Sequence, residues 1–286
     1  MSSFQNDNQW SQGPTEPTEE PNLGSRVATF DDVFENLSFA TELVFKPGVI
    51  VYYVTHAVVG GGTYFAMIIG LVMSMGMWQE FENPGSGPPE PEFGALFALG
   101  MVGILIFVMI LGGLGAGPMA PIRRAARGDM AAVQDIGTTF KQSIRAGLWA
   151  IPIMFIVNIV VTIGTVLLIL PGLAAAFFLT PAIYLVVTEQ AGVFESISMS
   201  FNWVKKHAGA VGALWVALIG GYFVLFGLVF CLSLIPFVGS LIALPIQLAG
   251  YAFFFVVYVA AMLTIDSAEN GWRLGASHEG IEQVFE

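Results

Sequence analysis

Three histidines and a few carboxylates are the side chains with the best prospect of chemistry in this chain. His56, His207 and His278 lie far apart, and none has a second metal ligand at the spacing that places two side chains on one helix face. The single cysteine, Cys231, lies inside an apolar run, and no serine or cysteine has the surroundings of a nucleophile elbow. We therefore expect no catalytic residue, no metal site and no bound cofactor.

Two pairs of carboxylates have a spacing that acid–base catalysis could use, Asp31 with Asp32 and Glu189 with Glu195. Both pairs also fit a simpler interpretation, as helix caps and residues on solvated helix faces, and we favour that interpretation. Thr29 and Asp32, for example, have the spacing of a capping box. We predict that the protein is not an enzyme. An intramembrane enzyme is a third hypothesis, which a cluster of titratable groups within hydrogen-bonding reach would revive.

The elements that must position these residues are membrane-spanning helices. Of the 286 residues, 56% are hydrophobic and only 11% are charged, whereas a soluble domain carries about 25% charged residues. Several apolar runs exceed the roughly 20 residues with which a helix crosses a bilayer. The net charge of −11 offers no basic patch for nucleic acid. The chain is therefore predicted to be an all-α polytopic membrane protein with six transmembrane helices in three hairpins.

The predicted boundaries divide the chain into a disordered cytoplasmic tail over residues 1–25, a membrane domain over 26–264, and a cytoplasmic tail over 265–286. The spans are predicted at about 49–78, 93–117, 148–170, 173–188, 210–234 and 238–263. Pro171 and Gly172 predict a tight turn between the third and fourth spans. The first tail has an alternative interpretation, as a partner-binding arm anchored by Phe4 and Trp10.

Each hairpin is predicted to follow an amphipathic helix that lies on the membrane surface. In the first of these helices the apolar side is formed by Phe30, Val33, Phe34, Leu37, Thr41, Val44 and Phe45. In the second it is formed by Met130, Val133, Ile136, Phe140 and Ile144. In the third it is formed by Val193, Ile197, Phe201 and Val204.

Six spans place all ten Lys and Arg residues on one side of the membrane. By the positive-inside rule this side is the cytoplasm, so both termini are predicted to be cytoplasmic. Basic residues at this surface would attract anionic lipid headgroups. The predicted headgroup contacts are Lys46, Arg123, Arg124, Arg127, Lys141, Arg145, Lys205 and Lys206.

The predicted spans contain no Asp, Glu, Lys or Arg, which argues against a proton-coupled transporter. Their notable polar residues are His56, Asn158 and Gln247, which either hydrogen-bond between helices or line a solute pathway. We favour hydrogen bonding between helices. The glycines of GGLGAG at 112–117 lack the following Lys-Ser/Thr of a phosphate loop, so they predict close helix packing.

An internal repeat relates the first and third surface helices at an offset of 160 residues. The sequence VFENLS at 33–38 matches VFESIS at 193–198, and Lys46 matches Lys206. The pattern predicts three copies of one unit, a surface helix followed by a hairpin, although short amphipathic helices also share composition by chance. Because each copy has an even number of spans, the repeats are parallel, unlike the inverted repeats typical of alternating-access transporters.

The segment 181–209 resembles a pattern shared by prokaryotic six-span membrane families: DUF4013, DUF975, the YciC-like proteins, and the membrane domain of some glycerophosphodiester phosphodiesterases. The positions that carry the resemblance are Pro181, Glu189, Gly192, Ser196, Ile197, Ser200, Lys205 and Lys206. The resemblance extends over about residues 30–264 and implies a six-span fold in the prokaryotic cytoplasmic membrane. It implies no chemistry, because this chain has no segment like the soluble catalytic domain of the phosphodiesterases.

Two functions are expected from these features. The first is a non-catalytic membrane protein that organises lipid or membrane shape, or serves as a scaffold or assembly partner, through its amphipathic helices. Its partners would be membrane lipids, further copies of itself in a homo-oligomer, or another membrane protein. The alternative is a channel or carrier for a small neutral or amphiphilic solute, which requires a polar cavity reaching His56, Asn158 or Gln247.

Overall fold

The protein is all-α over residues 26–74, 91–235, 238–272 and 274, which are the residues described by the computed structural model. Eleven helices form within these ranges. They are α1 (Phe30–Glu35), α2 (Leu37–Val44), α3 (Pro47–Ser74), α4 (Pro91–Ala116), α5 (Met119–Ala126), α6 (Ala131–Gln134), α7 (Ile136–Leu167), α8 (Ile169–Val187), α9 (Val193–Lys206), α10 (Ala208–Ser233) and α11 (Val238–Asn270).

Six of these helices, α3, α4, α7, α8, α10 and α11, are long and apolar enough to cross a membrane. This confirms the prediction of an all-α polytopic membrane protein. The two largest differences from the predicted boundaries are that α7 begins at Ile136 rather than near 148 and that α11 continues to Asn270 rather than 263. The predicted tail over 1–25, most of the 79–92 loop and residues 275–286 lie outside the described residues.

The turn between α7 and α8 falls at Leu168, three residues before the predicted position. Leu168 has an extended backbone, with φ of −160° and ψ of 136°, and α8 begins immediately after it. Pro171 and Gly172 therefore lie in the first turn of α8, where proline costs little because the first amide groups of a helix have no intrahelical partner. A Cβ atom on Gly172 would lie 2.6 Å from the amide nitrogen of Thr165, so this turn requires glycine.

Close packing of the GGLGAG segment against α7 confirms the prediction made for these glycines. A Cβ atom on Gly117 would lie 2.0 Å from the carbonyl oxygen of Ser143. In the other direction, a Cβ atom on Gly147 would lie 2.7 Å from the Cα of Leu114. Small residues on both helices thus bring the end of α4 and the start of α7 into backbone contact.

The short segment before each pair of long helices packs against the preceding pair, and the first such segment packs against the last pair. α9 contacts α8, where the Ser200 hydroxyl donates to the carbonyl of Phe178 at 2.6 Å. The start of α7 contacts α3 and α4, with 5.2 Å between the ring centroids of Tyr52 and Phe140. α1 and α2 contact α10 and α11, where the Asn36 amide donates to Thr264 at 3.2 Å. The three units therefore form a closed ring.

The first surface segment is two short helices rather than one. Thr29 and Asp32 form the predicted capping box at the start of α1, and the segment breaks at Asn36 before α2 begins. Val33 and Leu43 are buried against the hairpins, whereas Phe34 points away from the protein core and is 45% exposed. Some apolar residues of this segment thus face the protein core and others face away from it. The spacing of apolar residues alone did not distinguish the two sets.

Candidate functional site

The charged residues gather at one end of the helix bundle, which we call the basic end. The starts of α3, α7 and α10 and the ends of α4, α8 and α11 meet there, together with α1, α2, α5, α6 and α9. Long-range ion pairs join these segments: Arg123 to Asp266, Arg145 to Glu189, and Lys206 to Glu269. The Lys and Arg residues that the structure describes lie on or beside these segments, while their predicted position on the cytoplasmic side of the membrane stays a prediction.

A buried ion-pair network lies at the centre of the basic end and consists of Arg123, Tyr184, Asp266 and Asn270. Asp266 is fully buried, and its carboxylate accepts hydrogen bonds from Arg123 Nε at 2.5 Å and Nη2 at 3.2 Å. It also accepts from the Tyr184 hydroxyl at 2.8 Å and from Asn270 Nδ2 at 2.6 Å. The network connects α5, α8 and α11, so one carboxylate joins the helix that follows α4 to the ends of α8 and α11.

The network corrects two predictions. Arg123 was expected at the lipid headgroups, but only 14% of its side chain is exposed and its guanidinium neutralises Asp266 instead. Asp266 was expected in a cytoplasmic tail, but α11 continues through it. The signal in the sequence was the spacing of Asp266 and Asn270, four residues apart directly after an apolar run, which places both on one face of a continuing helix.

A second polar contact fastens the N-terminal segment to the bundle through His207. His207 is fully buried at the junction of α9 and α10. Its Nδ1 accepts a hydrogen bond from the Ala28 amide at 2.8 Å, and its Nε2 lies 2.9 Å from Glu269 Oε1. This arrangement requires the neutral imidazole with its proton on Nε2. Burial lowers the pKa of His207, and Lys206 adds to that effect, while the Glu269 carboxylate opposes it.

The remaining predicted headgroup residues lie at the surface of the basic end, most of them in ion pairs. Lys46 pairs with Glu42 at 2.6 Å within one helix turn, and Arg124 pairs with Asp129 at 2.8 Å. Arg127 lies over the ring of Trp272, with 5.7 Å between the guanidinium carbon and the ring centroid. The other members of this set are exposed and lie on α7 and α9: Lys141, Arg145, Lys205 and Lys206.

A cavity of about 190 Å³ opens between α5, α7 and the end of α8, and we call it the arginine cavity. Three guanidinium groups line it. The polar residues that line it are Arg123, Arg124, Gln142, Arg145, Thr188 and Glu189. Arg145 and Glu189 lie 3.6 Å apart, and both side chains are mostly exposed. The Oε1 atom of Gln142 is buried and has no hydrogen-bond partner.

A second cavity, of about 360 Å³, lies between α1 and the end of α11. Asp32 is part of its wall, and hydrogen bonds from Thr29 and the Arg26 guanidinium occupy its carboxylate. Burial alone would raise the pKa of Asp32, but these hydrogen bonds outweigh burial and the pKa lies below its usual value. The carboxylate thus stabilises the start of α1, which confirms its interpretation as a helix cap. Glu195 does the same for α9, accepting from the Gly192 amide at 3.4 Å.

The polar residues of the spans take local contacts. The Asn158 amide donates to the Met154 carbonyl of its own helix at 2.8 Å, which is not the hydrogen bond between helices that we favoured. His56 stacks on Tyr52, with 6.1 Å between ring centroids. Gln247 is half-buried on α11. None of these three lines either of the two cavities at the basic end. The solute pathway therefore stays a prediction, which these two cavities do not support.

Within the ranges that the structure describes, no group of three or more His, Cys, Asp or Glu side chains is placed to hold a metal ion. The charged groups that the structure places at the surface of the basic end include the guanidinium groups of Arg124 and Arg145 and the ammonium groups of Lys205 and Lys206. Comparison with known proteins adds no further constraint, because no family model, curated protein or solved structure matches this chain.

Proposed function

We propose that this protein is a non-catalytic component of a prokaryotic cytoplasmic membrane that organises lipid and membrane shape through the surface helices of its basic end. In this proposal the basic end faces the cytoplasm, where α1, α2, α9 and the start of α7 lie against the inner leaflet. The resemblance of segment 181–209 to six-span prokaryotic families supports the same location. Membrane lipids are the partners that this function requires.

The observation that carries the proposal is a set of phenylalanines on the surface helices that face away from the protein. Phe34 of α1 is 45% exposed and its repeat counterpart Phe194 of α9 is 80% exposed. In water each ring would cost on the order of 1 kcal/mol, whereas the headgroup–acyl boundary of a bilayer accepts it. Phe30, Phe45 and Phe201 are also exposed on these segments. Both matching positions thus carry an exposed phenylalanine, which supports a shared role for the two segments.

Basic residues beside these rings fit the same location. Lys46 follows Phe45 directly, and Lys205 and Lys206 end the helix that carries Phe194. A Lys or Arg near an anionic leaflet contributes about 1 kcal/mol of attraction. Rings that enter one leaflet and charges that hold its headgroups would expand that leaflet relative to the other. The expected consequence is a change in membrane curvature.

Reconstitution tests the proposal. Purified protein is placed in vesicles of phosphatidylethanolamine and phosphatidylglycerol, and vesicle diameters are measured by cryo-electron microscopy as protein density increases. The wild-type protein is expected to shift the diameters, and the Phe34→Ala/Phe194→Ala double variant is expected to lose most of that shift. Phe223→Ala is the matched control, because Phe223 is 75% exposed but lies within the membrane span of α10.

Unchanged diameters with the wild-type protein would overturn the proposal. An equal effect of the control and the double variant would also overturn it, because the shift would then come from the lipid-facing body. The mass of the particle in the same preparation tests the prediction that the protein associates with further copies or with another membrane protein.

The cytoplasmic location is tested by labelling single cysteines in intact cells of a bacterial host, in a background with Cys231→Ser. Lys205→Cys, at the basic end, is expected to react only after the membrane is permeabilised. Leu168→Cys, at the turn between α7 and α8, is expected to react from outside, since Leu168 is 68% exposed. Labelling of both positions from the same side would contradict the six-span arrangement.

A further inference from the structure

The arginine cavity has the chemistry of an anion site at the depth of lipid headgroups. Arg124 and Arg145 are both exposed, with side chains 58% and 73% accessible, so their guanidinium groups can be reached by a ligand. Trp149, 61% exposed, follows Arg145 by four residues on α7, which is about 6 Å along the helix. Tryptophan is enriched at the interface between headgroups and acyl chains. The cavity therefore opens where a phosphate group of the leaflet would lie.

Ion pairs partly neutralise the basic side chains around the cavity. The length and exposure of each ion pair determine whether its arginine can bind a ligand. Arg123 is committed to the buried carboxylate of Asp266. Arg124 pairs with Asp129 outside the cavity through Nη2, and its side chain is 58% exposed, so the other nitrogens of its guanidinium can still bind a ligand. The Arg145–Glu189 pair is the weakest, at 3.6 Å with both partners mostly exposed, so a stronger anion can displace Glu189 from Arg145 at little cost.

The backbone of Glu189 indicates that its carboxylate is there for a reason other than stability. Glu189 has a φ of 56°, in the left-handed region, and follows the end of α8, where glycine is the favoured residue. An exposed ion pair contributes too little to offset such strain. A glutamate at this position is explained if its carboxylate pairs with Arg145 in the empty site and is displaced when an anion binds.

Gln142 adds a second requirement for the ligand. Gln142 lines the cavity, and its Oε1 is buried and accepts no hydrogen bond within the part of the chain that the structure describes. A buried acceptor without a partner is costly, so a ligand that donates a hydroxyl there gains by satisfying it. Guanidinium groups bind phosphate oxygens through paired hydrogen bonds. The ligand that fits both is a phosphate ester that carries a hydroxyl group.

We propose that the arginine cavity binds the headgroup of an anionic glycerophospholipid that carries a free hydroxyl, such as phosphatidylglycerol. Arg124 and Arg145 bind the phosphate, Gln142 accepts from the headgroup hydroxyl, and Glu189 is displaced from Arg145. This inference rests on the proposed function and deepens it by naming one lipid class and one site.

Native mass spectrometry of the detergent-solubilised protein tests the site, with dioctanoyl phosphatidylglycerol as the probe. Arg145→Gln is expected to weaken binding about tenfold, the loss of one charge-assisted hydrogen bond. Glu189→Gln is expected to strengthen binding several-fold, about threefold or more, because the competing carboxylate is gone. Lys205→Gln removes an exposed charge of α9 outside the cavity and is expected to change binding less than about twofold. Equal losses in Arg145→Gln and Lys205→Gln would show diffuse attraction and overturn the site.

Two further probes define the ligand. Dioctanoyl phosphatidylethanol has the same charge but no headgroup hydroxyl, so the wild-type protein should prefer phosphatidylglycerol and Gln142→Met should lose that preference. If Gln142→Met keeps the preference, the role of Gln142 is wrong. If sn-glycerol 3-phosphate displaces the lipid at equal concentration, the site takes a soluble phosphate ester and the lipid assignment is overturned.

The site and the proposed function fail separately. The Phe34→Ala/Phe194→Ala variant should keep the preference for phosphatidylglycerol, because those rings lie outside the cavity. If the wild-type protein changes vesicle shape but shows no preference for phosphatidylglycerol, only the proposed lipid site is overturned. If the wild-type protein prefers phosphatidylglycerol but does not change vesicle shape, only the proposed function is overturned.

Discussion

The ion-pair network should be the most sensitive point of the fold to single substitutions. Asp266→Leu removes the carboxylate that accepts four hydrogen bonds from Arg123, Tyr184 and Asn270. It leaves a guanidinium with 14% of its side chain exposed and no counter-charge. Removing one partner of a buried pair costs about 3–5 kcal/mol. Arg123→Met should cost a similar amount, since it leaves the fully buried carboxylate with neutral donors only.

The double variant separates charge from packing. Arg123→Met/Asp266→Leu replaces both charges with apolar side chains, so the main remaining cost is the unpaired Tyr184 hydroxyl, about 1–3 kcal/mol. The double variant should therefore be more stable than either single variant, and the coupling energy should be several kcal/mol, about 3 or more.

Equilibrium unfolding in mixed micelles with increasing dodecyl sulfate, followed by tryptophan fluorescence, measures these differences. Arg124→Met is the control, because the Arg124–Asp129 pair is half exposed and should be worth less than about 1 kcal/mol. Additive costs in the double variant, or a cost of Asp266→Leu no larger than that of Arg124→Met, would refute the central role of the network.

Three further predictions concern pH, backbone strain and close packing. Because burial lowers the pKa of His207 from its usual 6.5, the unfolded state binds more protons; the contribution of neutral His207 is therefore complete above about pH 6.5 and is lost as the pH falls below it. His207→Asn should flatten the dependence of the unfolding midpoint on pH, and an unchanged slope would contradict this assignment. Glu189→Gly should stabilise the protein by about 1 kcal/mol in the same assay, since glycine relieves the positive φ and the lost ion pair is exposed; a lower stability would show that the pair outweighs the strain. Gly117→Ala should cost about 2 kcal/mol or more, because the new Cβ would meet a carbonyl oxygen 2.0 Å away, whereas Gly220→Ala, in open space, should be neutral or stabilising; equal effects would contradict the helix contact.

The six spans were predictable because a bilayer imposes a simple requirement of length and hydropathy, and the sequence meets it six times. The repeat was also visible, and the structure gives it a consistent pattern of burial. Ala40 and Ser200 occupy matching positions and both are fully buried, while Phe34 and Phe194 match and both are exposed. The similar sequences thus bury matching small residues and expose matching phenylalanine rings.

The ion-pair network was not predictable, because its partners are 143 residues apart. Asp266 directly follows an apolar run, a position that fits both a polar tail and a continuing helix. Only the position of Arg123, which pairs with Asp266, distinguishes the two. The spacing of apolar residues likewise could not predict which residues of α1 and α2 face the protein and which face away from it. Val33 and Phe34 are neighbours of equal apolar character, and the ring closure by the last hairpin determines which of them is buried.

The depth of Phe34 and Phe194 in the bilayer is the most direct test of the proposed function. Spin labels are attached at these two positions and at Lys205 in reconstituted protein, again with Cys231→Ser, and relaxation by oxygen is compared with relaxation by a water-soluble nickel complex. Labels at 34 and 194 are expected to be relaxed more by oxygen, which concentrates in the bilayer, and the label at 205 more by nickel. Nickel accessibility at 34 and 194 equal to that at 205 would place the rings in water and contradict the account.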